Sequence, residues 1–201
     1  MNNNQAKKAV IGPVRFSYLH VFEPWAGSDG KNDPKYSACI IIPKSDKDSI
    51  DKIKAAIAVT YKDGASVFGG ALPEKGKWNN PLRDGDLERP ADEAFKDAYF
   101  INASSKSKPG IVKINPAGNP RYIPITNQDE LYSGCYGYVS LGFFAYSNAG
   151  NKGVSAGLNN ILKTSDGEYM GGRSSADTDF EGLELDGALG SAGTIDDNDI
   201  F

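Results

Sequence analysis

Cysteine, histidine and methionine are scarce in this chain of 201 residues, which holds two Cys, one His and two Met. A lone histidine, His20, cannot build a multi-His metal site, and with Cys39 and Cys135 far apart the ligand set argues against a structural zinc as well. No metal and no cofactor are therefore expected. Both cysteines lie inside apolar, strand-like segments, and we read them as reduced core thiols of a cytosolic protein rather than as a disulfide. Long hydrophobic runs are missing too. The longest, Ala38-Cys39-Ile40-Ile41-Ile42, is far too short to cross a bilayer, and Met1 to Lys8 has no apolar stretch behind its charges; neither a membrane span nor a signal peptide is expected. Phosphate-loop chemistry is not indicated: Gly69-Gly70 and Gly171-Gly172 do not continue into Gly-Lys-Ser/Thr.

Basic residues are absent from one stretch in particular. Asp177 to Phe201 carries eight acidic side chains and no Lys or Arg, while the whole chain has 22 basic and 26 acidic residues. Residues 1 to 176 thus hold 22 basic against 18 acidic side chains, so a net charge of -4 conceals a cationic body and an anionic leash. Such a leash can occupy a groove built for a longer polyanion, and nucleic acid is the usual ligand of that kind. The stretch ends Asp196-Asp197-Asn198-Asp199-Ile200-Phe201. Solubility alone gains nothing from a terminal Ile-Phe pair, whereas a docking peptide needs an apolar anchor beside its charges.

What is abundant is glycine, tyrosine and phenylalanine, a composition that favours short strands and tight turns over long helices. We expect one domain over residues 1–176 and a flexible acidic tail over 177–201. A first strand is read from Val10 to Glu23, then a loop from Pro24 to Pro34 that includes Trp25, then a buried strand from Tyr36 to Pro43. A helix follows, with Ser45 as N-cap, Ile50, Ile53, Ile57 and Tyr61 at helical spacing, and Gly64 at its close. Ala65 to Asp92 loses periodicity and reads as a long functional loop. Strands resume at Ala98–Ser104 and Ile111–Ile114, separated by the basic turn Ser104 to Gly110, and a turn-rich stretch follows from Asn115 to Asn127. Ser133–Ser147 and Gly153–Lys163 form a hairpin.

Alternation along the first hairpin strand puts Val139, Leu141, Phe143 and Ala145 on one face and Tyr136, Tyr138, Phe144 and Tyr146 on the other. A small antiparallel sheet needs only one apolar face, so the second set is surplus aromatic surface for another layer or for a ligand. Unpaired bases stack on such rings at roughly 1–3 kcal/mol each, while Lys and Arg follow the phosphates without reading sequence. Candidate DNA-binding residues are accordingly Tyr146, Tyr136, Tyr138, Phe144, Tyr122 and Trp78 for bases, and Lys106, Lys108, Lys113, Arg121 and Arg83 for phosphates. Short strands around one helix, with these loops, match an OB-fold-like antiparallel β-barrel, mainly β, with one inserted α-helix. Two alternatives compete with sequence-independent binding of single-stranded DNA. Asp84, Asp86 and Glu88 could hold Mg²⁺ in a metal-dependent nuclease, although no general base accompanies them and Arg83 and Arg89 flank them as ion-pair partners. A structural virion protein with a DNA-mimicking tail is the other. The non-enzymatic reading is preferred.

The ordered motifs Phe22-Glu23-Pro24, Tyr36 to Ile42 followed by Pro43-Lys44, Pro81-Leu82-Arg83-Asp84-Gly85-Asp86, Tyr99 to Ala103, Lys106 to Gly110, Tyr132 to Tyr136, Gly157 to Asn160 and Gly171-Gly172-Arg173 span nearly the whole chain. In them it resembles a family of tailed-phage and prophage single-stranded DNA-binding proteins. More distantly the layout is similar to the T7-type phage replication protein, with Pro43, Tyr146 and Phe201 in matching places. The resemblance implies an oligonucleotide-binding barrel, Tyr146 as a stacking residue, and Asp196, Asp197, Asp199, Ile200 and Phe201 as an element that docks replication or recombination proteins. It also implies action in the cytoplasm of a bacterial host cell. An exposed strand edge or the aromatic face could support a homodimer.

Overall fold

A computed structural model describes residues 3–27, 30–31 and 33–170. After a single turn, Asn3–Ala6 (α1), strand β1 runs from Lys8 to Trp25 and β2 from Lys35 to Pro43; helix α2, Lys47–Asp63, comes next. The two-residue strand β3, Arg83–Asp84, and the short helix α3, Gly85–Glu88, precede β4, Ala98–Ser105. Strands β5, Gly110–Ile114, and β6, Tyr122–Pro124, form an arm, and β7, Tyr136–Asn148, and β8, Asn151–Ser165, complete the sheet. The strands lie in the order β3-β4-β2-β1-β7-β8-β5-β6, and a parallel β4–β8 contact at Ala103–Ala156 and Ser104–Gly157 closes β1, β2, β4, β8 and β7 into a five-stranded barrel. This is the expected OB-fold-like architecture.

Period-2 alternation fills the barrel. Val14 and Phe16 of β1, Ile40 and Ile42 of β2, Ile101 of β4 and Val139 and Leu141 of β7 are all buried in one cluster, closed by Ile50, Ile53 and Ile57 of α2. Each such side chain contributes about 1.5–3 kcal/mol on burial, which is why the register cannot slip by one residue. Strand β2 is buried on both faces, because Cys39 and Ile41 point outward into a second cluster with Phe95, Ala98 and Phe100. That accounts for its unbroken apolar run.

Several boundaries differ from expectation. The N-cap of α2 is Asp46, not Ser45, since the Asp46 carboxylate accepts from Ser49 N at 3.1 Å. Gly64 does close the helix, but at φ -78 it is needed for space: an added Cβ would lie 2.7 Å from Ala145 Cβ. Trp25 is the last residue of β1, paired with Lys35, rather than part of the following loop. The stretch from Ala65 to Asp92 is less irregular than its composition suggests, because Arg83 and Asp84 pair with Phe100 and Tyr99 of β4, and Phe68 is buried. The hairpin turn is tighter, too. Asn148 pairs with Asn151 across Ala149 and Gly150, both at positive φ, as a two-residue turn of the primed kind requires.

Both cysteines are free and buried, as read from the sequence. Among the described residues no helix is long and apolar enough to cross a membrane, and no three His, Cys, Asp or Glu gather as metal ligands. Gly171-Gly172-Arg173 and the acidic stretch, with Asp196, Asp197, Asp199, Ile200 and Phe201, lie outside the described residues.

Candidate nucleic-acid interface

The outer face of the barrel is laid out by strand register. Arg15 of β1 pairs with Ile41 of β2 on one side and with Tyr136 of β7 on the other, and Ile41 pairs with Phe100 of β4, itself opposite Arg83 of β3. Paired residues share a face, so one row crosses the sheet from Arg83 through Phe100, Ile41 and Arg15 to Tyr136. The centre of the row is covered by Phe95 and Ala98. Its β1–β7 end is open, and there the Arg15 guanidinium lies 5.6 Å over the Tyr136 ring. Arg15 donates to the carbonyls of Gly134, 3.4 Å, and Glu168, 3.0 Å, and faces no carboxylate within 4.0 Å among the described residues. It is a fixed, un-neutralised cation on an aromatic platform, the arrangement that suits a phosphate beside a stacked base.

Two shallow depressions meet at Arg15. One, with about 500 Å³ of free space, is lined by Pro13, Arg15, Lys44, Lys96, Asp97 and Tyr136 among others; the other, about 480 Å³, by Arg15, Tyr18, Asp92, Glu93, Glu168, Tyr169 and Met170 among others. Between them they form a groove along β1, walled by residues 92–98 on one side and by 168–170 on the other. Tyr18 is 56% exposed and carries the Arg89 guanidinium 5.2 Å from its ring. Arg89 also contacts Phe95 at 4.4 Å and Phe100 at 5.0 Å, so three rings hold its charge in place.

The expected aromatic face of β7 exists, but as two pairs. Tyr136 lines the groove and Tyr138 packs against Gly12 next to it on the strand, whereas Phe144, 51% exposed, and Tyr146 stand at the hairpin end. Ten residues separate the outermost rings, about 33 Å along a strand, with only Ser140 and Gly142 between the pairs on that face. The Tyr146 hydroxyl accepts from Asn79 Nδ2 at 2.9 Å. Trp78 is not on this face: it packs on Tyr61 of α2, with ring centroids 4.8 Å apart.

Nor do the predicted cations form one stripe. Arg83 is paired with Glu88 and lies 4.7 Å over Phe100, Lys106 meets Asp33 at 3.1 Å, and Lys113 is paired with Glu130. Lys108 sits 5.7 Å over Phe22, and Arg121 5.3 Å over Tyr122 on the β5–β6 arm, each with no carboxylate within 4.0 Å among the described residues. Exposed pairs of this sort are worth at most about 1 kcal/mol, so a phosphate can exchange for the acid at Lys106 at little cost.

The acids that a nuclease would need are otherwise engaged. Lys44 Nζ donates to Asp84 at 2.8 Å and to Asp86 at 2.6 Å; Asp84 also caps α3, and Asp86 accepts from Asp97 N at 2.9 Å. The Lys44 hydrogen bond holds the Asp86 carboxyl below the usual carboxylate range. These groups pin β3 and α3 to the end of β2, a structural task.

Sequence reasoning missed Arg15, Tyr18, Arg89 and the stacked pair His20–Trp25, whose rings lie 4.6 Å apart at 12°. Burial lowers the His20 pKa, so its imidazole stacks in the neutral form at neutral pH. A legible signal was present for Arg15 alone, a single charge inside the apolar alternation of Val14-Arg15-Phe16. Tyr18 and Arg89 are far apart in sequence and meet only through the fold.

Comparison with known proteins places residues 7–189 on the family model described as the ssDNA-binding protein of Enterobacter phage Enc34. Protein p50 of Acyrthosiphon pisum secondary endosymbiont phage 1 is 33% identical over 190 residues, 89% of this chain and 95% of that protein. The solved structure of the single-stranded DNA-binding protein from bacteriophage Enc34 in complex with ssDNA superposes with a TM-score of 0.69 at 25% identity, covering 83% of this chain and 91% of that one. Bacteriophage T7 gp2.5, a single-stranded DNA binding protein, shares the fold at TM-score 0.53 and 12% identity, over 92% of this chain and 98% of its own.

Proposed function

The chain belongs to the phage ssDNA-binding protein family typified by that of Enterobacter phage Enc34, a family of binding proteins and not of enzymes, and from this premise we propose that it binds single-stranded DNA without sequence preference along the outer face of its barrel. The observation that carries the reading is the un-neutralised Arg15 held over Tyr136 in the middle of the groove. Bases stack on Tyr136 and Tyr18 while Arg15, Arg89 and Lys108 meet phosphates; Tyr138, Phe144 and Tyr146 extend the path along β7. Tyr122 and Arg121 on the β5–β6 arm supply further contacts, as do Lys113, Lys106 and Arg83 once their acids are displaced. Trp78 serves packing and is dropped from the stacking set.

The acidic stretch competes with DNA and docks replication or recombination proteins through Asp196, Asp197, Asp199, Ile200 and Phe201. The charge contrast of the sequence supports the competition, since eight acidic side chains and no basic one follow a body of net positive charge. Tethering gives an effective concentration on the order of mM. The protein then acts in phage DNA replication, recombination or repair in the cytoplasm of the host cell.

The test is fluorescence anisotropy with labelled single- and double-stranded oligonucleotides, on the full chain and on one lacking residues 177–201, at two salt concentrations. Single-strand affinity should fall with a log–log salt slope of about 0.7 per phosphate neutralised, and truncation should tighten binding. Unchanged or weaker binding after truncation refutes the competition; absence of single-strand binding refutes the function.

A further inference from the structure

The groove around Arg15 does not exhaust the ring-and-cation geometry of this face. At the far end of β1 the Trp25 indole lies parallel to the His20 imidazole, and Trp25 is 49% exposed. One face of the indole is backed by a ring, and about half of the side chain is exposed. His20 pairs with Ser37 of β2, and Ser37 with Ser104 of β4, in the register that puts Cys39 and Ile41 on the outer side of the sheet. The stacked pair thus belongs to the same outer face as Arg15. From Ile41, beside Arg15, to Lys35, beside Trp25, β2 runs six residues, about 20 Å.

Exposed cations lie at this end of the sheet alongside the acids Glu23 and Asp33. Lys35 is exposed and has no carboxylate within 4.0 Å among the described residues. The turn between β4 and β5 begins beside Tyr36 at the start of β2 and brings up Lys108, over Phe22, and Lys106, whose acid partner is the exposed Asp33. A pre-set aromatic platform with exposed ammonium groups at the same end of the sheet is suited to an unpaired base and its flanking phosphates, not to a peptide or to the closed face of a duplex.

We propose that Trp25, braced by His20 and paired with Lys35, is a second base-stacking station, and that one single strand of DNA runs over both it and the Arg15–Tyr136 pair. This rests on the reading of the outer face as the DNA surface and assigns a distinct contact within it. The bracing ring holds the indole in its stacking orientation before DNA arrives, so less rotational freedom is lost on binding.

The chain contains two tryptophans, and Trp78 is packed on α2, so the full-length Trp78→Phe variant reports Trp25 emission alone. Titration with a labelled thymidine oligonucleotide longer than about 16 nucleotides, the upper site size for one such barrel, follows anisotropy and tryptophan emission together. Emission should be quenched in parallel with the anisotropy rise. Trp25→Ala should weaken binding by about 5- to 20-fold, within the range for loss of one stacked base, and Trp25→Phe by no more than about threefold. Binding by anisotropy with unchanged Trp25 emission overturns the station and leaves the binding function standing, as does a folded Trp25→Ala variant with parental affinity. No anisotropy change at all removes the binding function and the station with it.

Discussion

Replacing Tyr136 with Ala removes the platform under Arg15 and discriminates most sharply among readings of the outer face. The ring is 36% exposed, enough to offer a face to a base, and its inner edge packs so closely on Gly167 that an added Cβ there would lie 2.6 Å from it. Loss of one base stack costs roughly 1–3 kcal/mol, and release of Arg15 from its ring adds about 0.5–1 kcal/mol at an exposed site. Together these come to about 1.5–4 kcal/mol, and at about 1.4 kcal/mol per tenfold the dissociation constant for a single-stranded oligonucleotide should rise by about 10- to 700-fold. The ring has no charge, so the slope of log affinity against log salt should stay unchanged. Arg15→Ala should lower that slope by about 0.7, because one phosphate fewer is neutralised. Tyr136→Phe keeps the π face and should bind within about twofold of the parent. Anisotropy titrations at three salt concentrations, with thermal unfolding as a check of the fold, separate these outcomes. A folded Tyr136→Ala protein with parental affinity refutes the argument that this groove is the DNA surface.

Gly134 sits at φ +120, and a Cβ there would lie 1.9 Å from the Glu168 carbonyl oxygen; Gly134→Ala should displace residues 168–170 from the groove wall, lower the melting temperature by several degrees and expose Met170 to limited oxidation, read by mass spectrometry. The folded-state pKa of Asp86 is depressed, chiefly by the Lys44 hydrogen bond. The stabilisation is complete above the unfolded value near about pH 4 and is lost as pH falls through the folded value. Asp86→Asn should therefore flatten the acid limb of melting temperature against pH, and an unaltered limb refutes the pairing. Burial pushes the Cys39 thiol up to about 12, so in the native protein it should react with a thiol reagent only as fast as the fold opens; rapid labelling at pH 8 without unfolding contradicts its place in the outer cluster. With Asp84 and Asp86 bonded to Lys44, labelled DNA incubated with Mg²⁺ or Mn²⁺ should remain intact, and cleavage abolished by Asp86→Ala would reverse the functional ranking.

Most strands were legible because burial on one face imposes a period of two, and the helix because Ile50, Ile53 and Ile57 recur at a period near 3.6. Ala65 to Asp92 was read as irregular because its one strand is two residues long and its order comes from single anchors, Phe68 in the core and Arg83 beside Phe100. No periodicity can report an element that short. The N-cap was misplaced by one residue because Ser45 and Asp46 are both good caps, and only the chain direction after Pro43 selects between them.

What the sequence determined by itself was the barrel class, the alternation that turns Tyr136, Tyr138, Phe144 and Tyr146 outward, and the separation of a cationic body from an anionic stretch. These are properties of composition and nearest-neighbour order. Which rings and charges share a site was decided only by the tertiary structure: Arg15 reaches Tyr136 across 121 residues of sequence, and Arg89 reaches Tyr18 across 71. Trp78, by contrast, is drawn away to α2. Strand register and barrel closure fix those neighbours, and both follow from how the whole apolar set is buried at once, which no local window of the chain contains.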